Sequence, residues 1–199
     1  MTIWDIYAPF YDGVEWRIKT YRQMIDKVCE IVPSGADVLE LAGGTGNISL
    51  AVSHKAKSVL CSDISEKMLK VAKRKAKKQN ASNISFENVN IFETGKKNHS
   101  FDVVIASQVF HLIDKPEKAC EEIKRITKDM AIIPVPLLKN GTEFGKAWTV
   151  LFRVLGIKPK YTFTKETCKA YLEQIGFGNC EYYMIEGGIS LCVAVWRKR

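Results

Sequence analysis

The run Val38-Leu39-Glu40-Leu41-Ala42-Gly43-Gly44-Thr45-Gly46-Asn47-Ile48 constrains what this chain can fold into more than any other stretch. An apolar segment short enough for a buried strand meets three glycines within four positions, and a helix-like segment follows. Glycine reaches backbone angles that a Cβ forbids and lets a ligand approach the main chain closely. Strand, tight turn and helix in that order make a nucleotide-type site; the alternative is a tight turn that holds no ligand. A dinucleotide fingerprint counted from Gly44 would need its third glycine at position 49, where Ser49 stands. A nicotinamide-dependent oxidoreductase is disfavoured on that count.

The rest of the chain reads as strands alternating with helices, which predicts an α/β fold. A second strand, residues 58–62, ends at Asp63, 17 residues after Gly46. A doubly wound nucleotide site places there a carboxylate that accepts hydrogen bonds from both ribose hydroxyls. Capping of the next helix by Asp63 or Ser65 is the alternative use. Strands are expected at 84–88, 101–107 and 130–133, the last ended by Pro134 and Pro136, which cannot donate to a ladder. Asp114-x-x-Glu117 reads as the capping-box start of a helix reaching Thr127. Residues 15–31 read as a helix, as does a segment from Thr164, its N-cap, to Gly176. Two last strands, 179–185 and 189–196, flank Glu186-Gly187-Gly188 with hairpin spacing. The whole is a single-domain, doubly wound seven-stranded sheet, mostly parallel with a C-terminal antiparallel hairpin, spanning 1–199.

Three motifs carry a family resemblance. Glu40-x-Ala42-x-Gly44-x-Gly46 resembles the first motif of the class I S-adenosylmethionine-dependent methyltransferases, with Ala42 in place of the first glycine. Asp63-Ile64-Ser65-x-x-Met68-Leu69 resembles their second landmark, and Asp5-x-x-Ala8-x-x-Tyr11-Asp12 is similar to the opening of small-molecule members, including those of quinone biosynthesis. The resemblance implies a Rossmann-like methyltransferase fold, S-adenosylmethionine as cofactor, S-adenosylhomocysteine as product and no metal. It implies that Glu40 orients the methionine amino group by way of the turn Ala42, Gly43, Gly44 and Gly46. It also implies that Asp63 holds the ribose, that Ile64, Met68 and Ile91 flank the adenine, and that Asn90 bonds its amino group where the family usually has an acid. An N-terminal cap, residues 1–31, would fold over the cofactor with Tyr7 and Tyr11, although an aromatic plug docking the terminus reads equally well. Ser107, Gln108 and His111, after the fourth strand, would face the methyl group and the acceptor. His111 and Tyr11 are the candidate catalytic residues, His111 as a general base or as a packing residue.

An apolar stripe of Phe144, Trp148, Leu151, Phe152 and Leu155 at helical spacing, within 137–160, reads as a lid over the substrate pocket, or as core packing or a dimer face. The net charge of +8 raises the question of nucleic acid, and much of it sits in Lys67, Lys70, Lys73, Arg74, Lys75, Lys77 and Lys78. Met68, Leu69, Ala72 and Ala76 repeat among them at helical spacing, so the bases form the outer face of an amphipathic helix, with no aromatics interleaved for stacking. The six cysteines form no Cys-x-x-Cys pair and the three histidines no metal motif, as in a reducing cytoplasm. No apolar run predicts membrane insertion or secretion. The expected activity is transfer of a methyl group to a small-molecule acceptor by a cytoplasmic monomer or homodimer. The alternatives are an RNA or protein methyltransferase and a non-catalytic cofactor-binding scaffold.

Overall fold

The computed structural model describes residues 3–15, 17–138, 156 and 159–198. The predicted lid stripe lies outside them. Two short helices, α1 (Ile3–Tyr7) and α2 (Tyr11–Glu15), precede α3 (Lys19–Ile31). Then come β1 (Asp37–Leu41), α4 (Asn47–Ser53), β2 (Ser58–Asp63), α5 (Glu66–Lys78), β3 (Ile84–Asn88) and β4 (Phe101–Ala106). The chain ends with α6 (Pro116–Ile126), β5 (Thr127–Leu137), α7 (Lys165–Gln174), β6 (Glu181–Ile185) and β7 (Ser190–Arg197).

The seven strands form one sheet in the order β3-β2-β1-β4-β5-β7-β6. Strands β1 to β5 pair in parallel, and β7 inserts antiparallel between β5 and β6. Successive side chains of a strand point to opposite faces, which divides the core in two. Val38, Val59, Val103, Ile105 and Ile132 pack with α3 and α4, whereas Leu39, Leu41, Val104, Ala131 and Ile133 pack with α6 and α7. Helix α5 buries Met68, Leu69, Ala72 and Ala76 and leaves its bases outward, as their spacing requires, except Lys75, which pairs with Asp12.

Three local readings need correction. The helix expected over 15–31 is broken: α2 stops at Glu15 and α3 restarts after Ile18, whose extended backbone caps it without a side-chain bond. Pro134 and Pro136 do not end β5, which runs on to Leu137 paired with β7. The Pro134 carbonyl faces the β4 side, where it accepts the Gln108 N–H at 2.8 Å. A residue's N and O point to the same side of a strand, so both ring nitrogens face a side where β4 has already ended, and no ladder bond is lost. Asp114 does not cap α6. That helix starts on Pro116, with Lys115 at the N-cap position, and the Asp114 carboxylate pairs with Lys160. At α7 the expected cap is present, with Thr164 and Thr167 forming a reciprocal capping box.

Candidate cofactor and acceptor site

In an open α/β sheet the ligand crevice lies beyond the carboxyl ends of the strands, where strand order reverses. Here the reversal falls between β1 and β4. A cavity of about 230 Å³ opens there, walled by residues from the ends of β1, β2, β3 and β4 together with Trp4, Tyr11 and Tyr21 from the N-terminal segment.

The turn after β1 requires its small residues for three different reasons. A Cβ on Gly43 would stand 3.0 Å from the Cys61 sulfur and 3.1 Å from the Glu40 carboxyl. Gly46 takes φ +76 and would meet Ala72 at 3.0 Å. Gly44 has open space around it, but it takes φ +56 and donates its N–H to Asp63 Oδ2 at 2.8 Å. Ala42 is also left-handed, at φ 52, so the methyl group at this position carries strain, about 1–2 kcal/mol for a non-glycine residue. Glycine relieves that strain but gains freedom in the unfolded chain. Ala42→Gly is expected to be neutral or to stabilise by up to about 1 kcal/mol, raising Tm by no more than about 4 °C. A fall in Tm would show that the alanine methyl's packing outweighs its backbone strain.

Glu40 projects into this turn, 2% exposed. Its Oε2 accepts from the Ser49 N–H at 2.9 Å and the Ser49 hydroxyl at 2.5 Å, which fixes the side chain from behind. Burial pushes its carboxyl up to about 7 against those two bonds. Asp63 joins the two landmark motifs physically: Oδ2 holds Gly44 and Oδ1 accepts from the Ser65 N–H at 2.8 Å. Burial raises its pKa too, opposed by these backbone donors. Ser65 is the N-cap of α5, accepting from the Met68 N–H, and its hydroxyl donates to Asp5 at 2.6 Å. Capping and cavity lining therefore coexist in one motif.

On the far wall Val89, Asn90, Ile91 and Phe92 follow β3. The Asn90 amide oxygen accepts from the Phe92 N–H at 3.0 Å, which orients the side chain and leaves that oxygen one further lone pair. The loop behind them is fastened to α6 by Glu122, which accepts from the Thr94 N–H and hydroxyl. Hydrogen bonding to the Arg125 guanidinium holds the Glu122 carboxyl down at about 2. After β4, Gln108 sits at φ 51 on the wall, and Ser107 donates to the Met24 sulfur.

The N-terminal segment is fastened at two points. Asp5 reaches Ser65, and Asp12 accepts from Thr45 at 2.6 Å, Asn47 at 3.0 Å and Lys75 at 2.8 Å. Both tethers end on the motifs that form the cavity. Asn47 also donates to the Tyr21 hydroxyl at 3.2 Å.

The structure thus brings together Tyr11, Glu40, Ala42, Gly43, Gly44, Asp63, Ile64, Met68, Asn90, Ile91, Ser107 and Gln108 around one cavity. Gly46 shapes the turn from behind. Tyr7 is not among the wall residues, and neither is His111. The His111 ring is buried, with no partner at Nδ1 among the described residues, and burial lowers its pKa to about 4. An imidazole held neutral, off the wall and weakly basic is badly placed to take a proton from an acceptor. Burial holds the Tyr11 phenol protonated, well above its ordinary range, so it can donate a hydrogen bond but is a poor base. Trp4, from the aromatic opening run expected to close over the cofactor, is on the wall, as are Tyr21, Ile48, Phe92, Val109, Leu112 and Ile113, which no motif singles out. Tyr21 carried a signal only as a core position of α3, and the others only as apolar residues near motifs.

A methyltransferase-domain family matches residues 33–150. A demethylmenaquinone methyltransferase from Clavibacter sepedonicus is 25% identical, the match covering 87% of this chain and 76% of that protein. The ubiquinone/menaquinone biosynthesis C-methyltransferase UbiE of Escherichia fergusonii is 24% identical, over 81% of this chain and 74% of that one. Among solved structures, magnesium protoporphyrin IX methyltransferase from Synechocystis, with bound S-adenosylhomocysteine, superposes with a TM-score of 0.70, 20% identity and 98% coverage of both chains. At that identity the likeness concerns the fold.

Proposed function

This chain belongs to the methyltransferase-domain family, as a class I S-adenosylmethionine-dependent methyltransferase, and on that premise we propose that it methylates an uncharged aromatic acceptor of the quinol type. One observation carries the choice of acceptor. Among the described residues, no lysine, arginine or histidine lines the cavity, and its two acids are Glu40 and Asp63. An anionic acceptor would be desolvated there with no basic side chain of the protein to pair with, which is costly. The remaining wall is aromatic and aliphatic, with Trp4, Tyr11 and Tyr21 on one side and Phe92, Leu112 and Ile113 among the rest. The names of the two quinone-pathway relatives support the same reading.

The chain's own groups fit the cofactor. Glu40 would hold its ammonium group, Asp63 its ribose hydroxyls, and Asn90, Ile64, Met68 and Ile91 its adenine, while the bare turn admits its backbone-hugging end. When bound, the sulfonium would supply an activated methyl group to the acceptor by direct displacement, the acceptor's proton leaving to solvent. The protein then has to align the acceptor and exclude water, and orientation of this kind lowers a barrier by roughly 7 to 11 kcal/mol. Tyr11 and Gln108, both on the cavity wall, would orient a quinol hydroxyl by hydrogen bonding.

The test is turnover with S-adenosylmethionine and a short-chain, unmethylated quinone kept reduced, followed by mass spectrometry of the acceptor. Methylated quinol is expected, with a carboxylate- or phosphate-bearing aromatic of similar size at least about tenfold slower. Preference for the anionic compound would overturn the acceptor reading and leave the cofactor assignment standing. A nucleic-acid acceptor is the second reading, carried by the net charge of +8.

A further inference from the structure

We propose that the outer side of the N-terminal segment and the basic side of α5 together form a docking surface for an anionic lipid membrane, placed where a lipophilic acceptor would pass into the cavity. This rests on the acceptor reading above. Among the described residues, three large apolar side chains stand exposed: Ile6 at 61%, Phe10 at 70% and Ile64 at 55%. They fall in one region. The Asp5–Ser65 bond fixes the segment to the start of α5, and the Asp12–Lys75 pair fixes it near the end of that helix. Residues 5–12 therefore run alongside α5, with Ile6 and Phe10 between the two tethers. Ile64 immediately precedes the Ser65 tether and also lines the cavity, so the apolar patch meets the cavity mouth.

Helix periodicity places the charge beside it. Lys67, Val71, Lys75 and Lys78 follow one another at spacings of four, four and three residues along the flank that carries Lys75 to Asp12, and Lys70, Arg74 and Lys77 make the next row. Lys67, Lys70, Lys73, Arg74, Lys77 and Lys78 are all exposed, against one exposed acid on the helix, Glu66. Asp5 and Asp12 are turned inward to their tethers. Exposed apolar side chains backed by a cluster of bases match a membrane interface, where apolar burial and attraction to anionic lipid add. A base-stacking surface would want aromatics among the lysines, whereas two of the three apolar residues here are isoleucines. The seating also explains why these side chains stand in water beside a cavity that suits an oily acceptor.

Co-sedimentation of the full chain with vesicles tests this, using phosphatidylcholine alone and phosphatidylcholine with a third of the lipid replaced by phosphatidylglycerol. Binding is expected to the anionic vesicles, at least about tenfold stronger than to the neutral ones and weakened by salt. The pair Ile6→Ser and Phe10→Ser, and separately the triple Lys67→Gln, Lys70→Gln and Arg74→Gln, should each lower the affinity by about tenfold or more. Both variants should keep the wild-type thermal shift with S-adenosylhomocysteine, which controls for folding. Equal binding to both vesicle types, no binding, or variants that bind like wild type would overturn the surface. Tighter binding to polyuridylate than to anionic vesicles would overturn it in favour of nucleic acid. A wild-type chain that answers S-adenosylhomocysteine but not vesicles loses only the docking surface; turnover on anionic aromatics in place of quinols removes the acceptor reading beneath it.

Discussion

Asp63→Ala loses the thermal stabilisation that S-adenosylhomocysteine gives the wild-type chain. A ligand at about a hundred times its Kd stabilises by roughly 2.7 kcal/mol, which for a chain of this length is a rise in Tm of about 5 to 10 °C. Both oxygens of Asp63 already hold backbone N–H groups, from Gly44 and Ser65, yet a carboxylate has further acceptor capacity and this one lines the cavity. Hydrogen bonds to a charged group contribute about 1.5–3 kcal/mol each, so losing two ribose contacts weakens binding by roughly 10²-fold or more. The unliganded variant also melts lower, because two buried N–H groups lose their acceptor at about 1–3 kcal/mol each. The two effects separate cleanly, since the first is the shift on adding ligand and the second is the baseline. Asp63→Asn keeps a carbonyl for one backbone donor and turns an amide toward the other, so it should fall between the two. A full ligand shift in Asp63→Ala would make this residue a structural brace between the turn and α5 and nothing more.

The parts of this architecture that were legible in the sequence are those fixed by local chemistry. The run at 37–41, the aspartate ending β2 and the strand expected at 101–107 were readable because a buried parallel strand is a short apolar run ended by a polar or glycine break, and the edge strand 84–88 because Ile84 and Phe86 alternate with polar residues. Thr164 and Gly176 were readable for the same reason, as end signals that act within one turn. What failed was what depends on neighbours. Prolines end a strand only if their nitrogens face a partner, and whether β4 reaches that far is a property of the sheet. Asp114 has the right offset for a cap, but Lys160, distant in sequence, holds it instead. The site divides along the same line. Glu40, Asp63 and the glycine turn announce themselves by spacing, whereas Trp4 reaches the wall because two aspartate tethers lay the N-terminal segment across it, and Tyr21 because α3 packs on α4, where Asn47 bonds its hydroxyl. His111 shows the converse case, a chemically suggestive residue at the right strand end whose side chain turns into the core.

Binding of S-adenosylhomocysteine should weaken as pH falls below 7, and the weakening should trace to Glu40. Burial raises this carboxyl from an ordinary 4.5 to about 7, so below 7 the unliganded site increasingly holds a proton. The cofactor's ammonium group and that proton compete for the same carboxylate. Each pH unit below 7 should therefore raise Kd by up to about tenfold, and binding near pH 6 should release a proton to the buffer, visible as a calorimetric heat that varies with buffer ionisation enthalpy. Glu40→Gln should bind more weakly at pH 8 and show a nearly flat profile. The unliganded chain gives the matching stability signature. A folded-state carboxyl raised above its unfolded value binds more protons folded than unfolded between 4.5 and 7, so stability declines as pH rises through that window, by at most roughly 3 kcal/mol per group. Glu15, buried and likewise raised to about 7, contributes a second decline of the same sign, while His111, lowered to about 4, contributes an opposing rise between about 4 and 6.5. Saturating ligand should cancel the Glu40 part, because the ammonium then stabilises the ionised form, and leave the Glu15 part untouched. If the ligand also erased the decline that Glu15→Gln removes, Glu15 would belong to the binding site; if it left the Glu40 decline in place, the Glu40 carboxylate would not face the cofactor's charge at all.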